Sequence, residues 1–298
     1  MVLLKYAVKQ KYLLPVVIAF PFLILCLALG MPSPNAAEGE VTAGKGIVAM
    51  AFSGKKSVYQ GCDRYDFEVN GQQFAVAVPQ KTAPGKPWLW VAEFFGVGFW
   101  HSLDAKLLEK GWHIAYNPSA AGLYGSPKAV ANWNACYEVW TRQYGLNLKP
   151  VLAGYSRGGL LIYHWAAANP DKVSALYADA PVCAIQSWPG GKGKGKGSAG
   201  DWQNCLKTYG LTDAQGADYQ LNPIDQLEPL AKAKLAILHV VGDADDVVPV
   251  AENTQPIEER YKKLGGDIQV IHKPGVGHHP HALPDPTPIV EFILKHAP

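Results

Sequence analysis

The sequence predicts an α/β fold with a mostly parallel central sheet flanked by helices. From residue 88 to the C-terminus, short apolar runs that are typical of buried strands alternate with longer segments of helical pattern. Strands separated by helices are joined by right-handed crossovers, which make neighbouring strands parallel. Residues 182–232 interrupt the alternation, and we expect them to form a cap-like insertion.

A hairpin precedes the alternation. Strands are predicted at 64–69 and 73–78, because the Asn70-Gly71 pair between them is a strong two-residue turn signal. Ser102 and Ser126 are the predicted N-caps of the first two helices. The predicted elements after the hairpin are strand 88–91, helix 102–110, strand 112–116, helix 127–144, strand 151–153, helix 160–169, strand 175–178, helical pieces 201–209 and 212–219, strand 235–241, helix 252–264, strand 268–272 and helix 286–296.

The first 37 residues differ from the rest of the chain. Lys5, Lys9 and Lys11 precede the apolar run 12–29, and the small residues 35–37 follow it. This order of basic, apolar and small residues predicts a signal peptide, and therefore a secreted or periplasmic protein. The alternative is an uncleaved N-terminal anchor that would tether the protein to a membrane.

Residues 38–298 are predicted to form one domain. The formal net charge of the whole chain is +2, but residues 1–37 hold three lysines and no acid, so 24 basic side chains remain against 25 acidic ones. The near-neutral balance gives no argument for nucleic-acid binding.

Four cysteines lie in this domain, and none of their spacings is that of a zinc site. Cys183 and Cys205 flank residues 190–197, which we call the Gly/Lys segment because it contains only glycine and lysine. Since an exported protein permits disulfides, a Cys183–Cys205 bridge is predicted. The alternative is a pair of buried free thiols.

A catalytic serine is indicated by Gly154-Tyr155-Ser156-Arg157-Gly158, which fits the pattern G-x-S-x-G. The pattern lies between an apolar strand and an apolar helix, so Ser156 would stand on a sharp turn with its hydroxyl clear of the sheet. The backbone N–H of Arg157, directly after the serine, is the expected first donor of an oxyanion hole.

This segment resembles the nucleophile elbow of the α/β-hydrolase superfamily, and the resemblance runs from about residue 65 to the C-terminus. More narrowly, the chain is similar to secreted bacterial α/β-hydrolases that are usually described only as esterases. The stretches that carry the narrower similarity are 88–96, 154–159, 177–183 and 275–281. The resemblance implies the α/β-hydrolase fold and the order Ser, Asp, His, but it implies no particular substrate.

The resemblance also implies the other two members of a catalytic triad. Asp245 stands three residues after Gly242 and shortly before a Val-Pro pair, where the superfamily often places the acid. Asp179 is the alternative acid. His278, in a Gly-His pair near the C-terminus, matches the general base.

Three histidines close together raise the question of a metal site. His278, His279 and His281 lie in a loop rich in glycine and proline, without the spacing or the carboxylate of an H-E-x-x-H helix. No metal and no cofactor are therefore expected, and His279 and His281 are interpreted as residues that pack or hydrogen-bond nearby.

The second oxyanion donor is less well defined by the sequence. The resemblance places it in the loop after strand 88–91, at Phe94 or Phe95. This chain has Glu93-Phe94-Phe95-Gly96 where lipases have a His-Gly-Gly motif. It also has Val91 where the narrower group is expected to have arginine.

Together these features predict a secreted serine hydrolase that cleaves carboxylic esters through an acyl-enzyme on Ser156. The substrate would be a small-molecule or carbohydrate ester. Lys192, Lys194 and Lys196 of the Gly/Lys segment are candidate contacts for an anionic substrate, and the alternative is a solvated, flexible loop. The alternatives for function are a serine peptidase of prolyl-oligopeptidase type and a non-catalytic binding protein on the same scaffold.

Overall fold

The computed structural model describes residues 50–297 of the chain. The predicted signal peptide lies outside the described residues. Among residues 50–297, no helix is both long enough and apolar enough to cross a membrane.

One mixed sheet runs through the described residues. Its strands are β1 Lys55–Tyr59, β2 Cys62–Val69, β3 Gln72–Val78, β4 Trp88–Val91, β5 His113–Tyr116, β6 Val151–Tyr155, β7 Ala175–Asp179, β8 Ala236–Gly242 and β9 Ile268–Lys273. They lie in the order β1-β2-β3-β5-β4-β6-β7-β8-β9. The strands from β5 to β9 along this order are parallel, and β1 to β3 are antiparallel. The predicted fold class is confirmed.

The predicted hairpin is formed by β2 and β3. Val69 pairs with Gln72 across the turn, and Asn70 and Gly71 have φ of 51° and 73°. A two-residue turn of this hand requires positive φ at both positions, which asparagine and glycine tolerate best.

Helices cover both faces of the sheet. They are α1 His101–Glu109, α2 Pro127–Glu138, α3 Gly158–Ala168, α4 Ala199–Tyr209, α5 Asp213–Ala217, α6 Glu228–Lys232, α7 Thr254–Lys263 and α8 Thr287–Lys295. Buried side chains of α1 and α8 pack on one face, and those of α2, α3, α6 and α7 pack on the other. Between β7 and β8 the described chain contains only helices and loops, as expected for the insertion.

The two predicted N-caps have different outcomes. Ser126 caps α2, with its Oγ accepting a hydrogen bond of 3.4 Å from Ala129 N, and Pro127 occupies the first helical position. Ser102 does not cap α1, so that prediction is wrong. The 3₁₀ turn Gly98–Trp100 leads directly into α1, and Ser102 therefore lies inside the helix.

The strand β4 shows how one short run serves two cores. Its side chains alternate, so Trp88 and Trp90 pack on the face of α2 and α3, while Leu89 and Val91 pack on the face of α1. Both faces are covered, which explains why the run has no polar residue. Asn117 provides the acceptor for two buried indole N–H groups, because its Oδ1 accepts hydrogen bonds of 2.9 Å from Trp90 and Trp140.

The predicted Cys183–Cys205 disulfide is absent, and both residues are buried free thiols, as are Cys62 and Cys136. Cys183 packs in the core of α2 and α3, whereas Cys205 packs in a separate cluster formed by the insertion. Burial raises the pKa of both thiols, that of Cys205 to about 12, so both stay protonated.

A buried acid lies under the edge of the sheet. Asp104 of α1 is fully buried and accepts a hydrogen bond of 2.6 Å from the Tyr59 hydroxyl. Its other carboxylate oxygen has no partner among the described residues. Burial raises the pKa of Asp104 to about 7, although the Tyr59 hydrogen bond opposes the shift.

This raised pKa predicts a pH-dependent contribution to stability. Asp104 binds a proton more tightly in the folded chain than in the unfolded chain. The stabilisation that its protonation gives to the folded state is therefore complete below about pH 4 and is lost as the pH rises through 7. The difference in unfolding free energy between wild type and Asp104→Asn should therefore shift in favour of the variant by ~4 kcal/mol over this range. Urea unfolding at pH 4 to 8 tests this, and parallel curves for the two proteins would contradict it.

Candidate active site

The strand β6 ends in a sharp turn that carries Ser156. Ser156 has φ of +48°, a value that costs energy for any residue with a Cβ. Its neighbours make the turn possible, because a Cβ on Gly154 would lie 2.7 Å from the carbonyl oxygen of Gly158, and one on Gly159 would lie 2.7 Å from Pro181 Cβ. The turn therefore depends on these glycines, and it leaves Ser156 partly exposed.

Three side chains predicted to act together form a continuous hydrogen-bonded chain. His278 Nε2 lies 3.0 Å from Ser156 Oγ, and His278 Nδ1 lies 2.7 Å from Asp245 Oδ2. Asp245 and His278 are buried, and Ser156 is open to solvent at one end of the chain. The arrangement suits proton transfer from the serine to the imidazole.

The turn after β8 fixes the orientation of the acid. Asp245 Oδ1 accepts hydrogen bonds of 2.9 Å and 2.8 Å from the backbone N–H groups of Val247 and Val248. This leaves Oδ2 for His278. A Cβ on Gly242 would collide with the carbonyl oxygens of the histidine loop, so glycine lets the acid turn and that loop approach closely.

The alternative acid, Asp179, has a different partner. Its Oδ1 lies 2.8 Å from His281 Nδ1, and its Oδ2 accepts a hydrogen bond of 2.9 Å from Ala282 N. Its backbone carbonyl accepts a hydrogen bond of 2.9 Å from Ser156 N. Asp179 at the end of β7 thus binds both the serine turn and the far end of the histidine loop.

Of the two predicted positions for the second oxyanion donor, Phe94 lies beside the serine turn. Its ring centre is 5.0 Å from the Arg157 guanidinium carbon, and it has φ of +60°. The ring of Phe95 instead packs against Tyr59 and Tyr116. Helix α3 begins at Gly158, directly after Arg157, so the N–H groups of its first turn have no acceptor within the helix.

An ion pair between Glu93 and Arg157, next to the serine turn, was not predicted from the sequence. Glu93 is buried, accepts a hydrogen bond of 2.7 Å from Gly122 N and lies 3.3 Å from an Arg157 terminal nitrogen. Burial raises the pKa of Glu93, and the Arg157 charge opposes the shift. The guanidinium lies between the rings of Phe94 and Tyr124. The one available signal was a glutamate two residues after an all-apolar strand.

Comparison with known families decides the wider assignment. Residues 133–291, more than half of the chain, match the profile of the Prolyl oligopeptidase family. The chain belongs to this family. The matched region includes Ser156, Asp245 and His278. A search of curated protein sequences finds no significant match.

Solved structures give the same fold. Dipeptidyl peptidase 4 from Porphyromonas gingivalis superposes with a TM-score of 0.58 at 16% identity, covering 80% of this chain and 36% of that one. Est1E from Butyrivibrio proteoclasticus superposes with a TM-score of 0.55 at 19% identity, and the match covers 78% of this chain and 98% of Est1E. S-formylglutathione hydrolase from Agrobacterium tumefaciens superposes with a TM-score of 0.55 at 14% identity, and the match covers 81% of this chain and 95% of that hydrolase.

These likenesses show the α/β-hydrolase fold. The family match and the hydrogen-bonded chain of Ser156, His278 and Asp245 together support a serine hydrolase. The chain spans only about a third of the length of the dipeptidyl peptidase structures it resembles.

In this family member the Gly/Lys segment is packed against the turn after β8 that carries Asp245, which we call the acid turn. Lys196 pairs with Asp246 at 2.5 Å and Lys192 pairs with Asp213 at 3.6 Å, while the Lys194 backbone N–H donates to Glu252. Gly195 is buried, and its neighbours leave no room for a side chain. The glycines therefore serve close packing, not flexibility as the sequence suggested.

Asp179 provides a test of how the histidine loop is held. In Asp179→Asn the amide oxygen can still accept from Ala282 N, but an N–H₂ group then faces His281 Nδ1, so His281 loses its carboxylate partner and must change tautomer to keep a bond. Because the loop carries His278, we expect kcat to fall by about 10²-fold with little change in KM. The control is Asp171→Asn, at an exposed position of the 3₁₀ turn Pro170–Lys172. Equal kcat values for both variants would show that Asp179 does not position the loop.

Gly195 provides a test of the packing against the acid turn. A Cβ there would lie 2.9 Å from Pro249 Cδ and 3.0 Å from the Val247 carbonyl oxygen, next to the N–H that holds Asp245. Gly195→Ala should therefore lower kcat about tenfold and cost ~1 kcal/mol of stability. Gly200→Ala is the matched control, because its Cβ would meet nothing within 4 Å and alanine favours the helix. The idea fails if kcat in Gly195→Ala stays at the control value.

Proposed function

We propose that the protein hydrolyses carboxylic esters through an acyl-enzyme formed on Ser156. The observation that carries the proposal is the unbroken hydrogen-bonded chain from Ser156 Oγ through the His278 ring to Asp245. A serine hydroxyl is a weak nucleophile by itself, and an adjacent oriented base is what activates it.

Each member of the chain has one task in this reaction. Ser156 Oγ attacks the ester carbonyl while His278 Nε2 accepts the hydroxyl proton. Asp245 keeps the Nδ1 proton of His278 in place and stabilises the imidazolium. His278 then donates the proton to the leaving alcohol, and a water molecule, activated by the same nitrogen, releases the acid from Ser156.

The developing negative charge on the carbonyl oxygen requires donors beside Ser156. The Arg157 N–H lies at the start of α3, where the helix dipole also favours an anion. We propose Arg157 N–H as one donor and Phe94 N–H as the other, because Phe94, unlike Phe95, has its ring against the Arg157 side chain.

Ester cleavage is favoured by what the acidic groups near Arg157, the residue after the nucleophile, already bind. Glu93 is occupied by Gly122 N and Arg157, and Asp201 by the hydroxyls of Tyr124 and Ser198. Neither carboxylate is left to bind the amino terminus of a peptide. An ester needs only the nucleophile, the base and the oxyanion donors.

Peptide cleavage is the second candidate, because the chain belongs to the prolyl oligopeptidase family and resembles dipeptidyl peptidase 4 as well as Est1E. We place the activity outside the cytoplasm, on the basis of the predicted signal peptide, with an uncleaved leader as a possible membrane tether. The proposed substrates are small-molecule or carbohydrate esters.

A substrate panel separates these candidates. Acetyl, butyryl and long-chain esters should be hydrolysed, and aminoacyl amides should be hydrolysed far more slowly. Asp245→Asn should lower kcat by about 10⁴-fold, because the histidine then takes the wrong tautomer. Asp246→Asn, whose pair with Lys196 is exposed, should change kcat little. Faster amide than ester turnover would favour the peptidase.

Labelling with a fluorophosphonate probe tests the nucleophile independently of the substrate. Wild type should be labelled and Ser156→Ala should not. A folded wild-type protein that resists the probe and turns over neither esters nor amides would point to the binding-protein alternative.

A further inference from the structure

The loop that carries the catalytic base gathers three imidazole rings. The ring centres of His278, His279 and His281 lie 4.7 to 5.0 Å from one another, and each pair is arranged edge to face. Each residue offers a ring nitrogen within 4.8 Å of those of the other two. The proposed hydrolase mechanism uses only His278.

Two of these histidines are oriented by carboxylates. Asp245 lies 2.7 Å from His278 Nδ1, and Asp179 lies 2.8 Å from His281 Nδ1. Metal-binding histidines in proteins commonly donate one ring N–H to a carboxylate, which fixes the ring and raises the basicity of the other nitrogen. The nitrogen directed away from the carboxylate is Nε2 in both residues.

We propose that His278, His279 and His281 form a binding site for a divalent transition-metal ion such as Zn²⁺, and that the bound ion inhibits the hydrolase. The inhibition rests on the proposed function of His278. An ion bound to His278 Nε2 takes the electron pair that would accept the Ser156 proton, so Ser156 loses its base. Imidazole nitrogens suit Zn²⁺, Cu²⁺ and Ni²⁺, whereas Mg²⁺ and Ca²⁺ prefer oxygen ligands.

The geometry assigns a separate task to His279. Zinc–nitrogen bonds of about 2.0–2.1 Å bring the nitrogens of a tetrahedral site to about 3.3 Å apart, so the rings must approach further than in the metal-free arrangement. His278 and His281 are buried and held by their carboxylates, while His279 is exposed. His279 can therefore rotate to close the site, and water can supply the fourth ligand.

The charges around the loop favour a cation. Asp245 and Asp179 are buried directly behind two of the rings, and Asp246 faces the same turn. Two cations lie close by: Lys196 is paired with Asp246, and Lys273 donates hydrogen bonds to the carbonyl oxygens of Pro280 and Ala282 in the histidine loop. Three carboxylates against two ammonium groups leave the surroundings of the three imidazoles net negative.

The first experiment measures inhibition by zinc sulfate. Wild type should lose ester hydrolysis in the micromolar range, recover it on addition of EDTA, and be unaffected by millimolar Mg²⁺ or Ca²⁺. His279→Ala should keep the metal-free activity, because the triad does not use His279, but should need at least tenfold more zinc for half inhibition. Absence of zinc inhibition in wild type, or equal inhibition of both proteins, would overturn the proposal.

The second experiment does not depend on turnover. Titration calorimetry of Ser156→Ala with zinc should show one ion bound per chain, and Ser156→Ala/His279→Ala should bind at least tenfold more weakly. Zinc should also slow fluorophosphonate labelling of wild type. Zinc binding without any effect on labelling would keep the site but refute the inhibition. No difference in binding between the two variants would refute the site, whatever the substrate of the enzyme.

Discussion

The rest of the site depends on one backbone constraint, the left-handed conformation of Ser156 between β6 and α3. The turn can form only where backbone segments come close, and Gly154 and Gly159, at which a Cβ would collide, allow that approach. The parallel sheet compensates for the strain, because Ser156 N donates to the Asp179 carbonyl and Val182 N donates to the Ser156 carbonyl. A strained nucleophile is thus held from both sides by the neighbouring strand and the segment after it.

The same strand end also organises the base. In the sheet, β7 lies between β6, which carries the serine, and β8, which carries the acid. Because parallel strands end at one edge, the serine turn, Asp179 and the acid turn meet there. Asp179 binds the serine turn through its backbone and the histidine loop through its side chain. The acid of the triad and the carboxylate that supports the loop are therefore different residues on adjacent strands.

The insertion contributes more than a cover for the site. Its Gly/Lys segment packs on the turn that orients Asp245, and Tyr124, which contacts the Arg157 guanidinium, donates to Asp201 of α4. The surface around Ser156 is consequently built by segments far apart in the chain, with Glu93 neutralising Arg157 from below. Residues that look like independent loop features in the sequence form one packed support.

The sequence by itself determined eight of the nine described strands, most of the helices and Ser156, because apolar periodicity, G-x-S-x-G and the turn signals are local patterns. Asp245 and His278 followed from the resemblance to α/β-hydrolases. The sequence did not predict the start of α1 correctly, because a 3₁₀ turn leads into the helix at His101 and Ser102 lies inside it. Only the tertiary structure decided that Asp179 pairs with His281, that Glu93 pairs with Arg157, that Cys183 and Cys205 stay apart and that the Gly/Lys segment is packed. Each of these depends on which strand ends and loops become neighbours in space, and spacing along the chain does not record that.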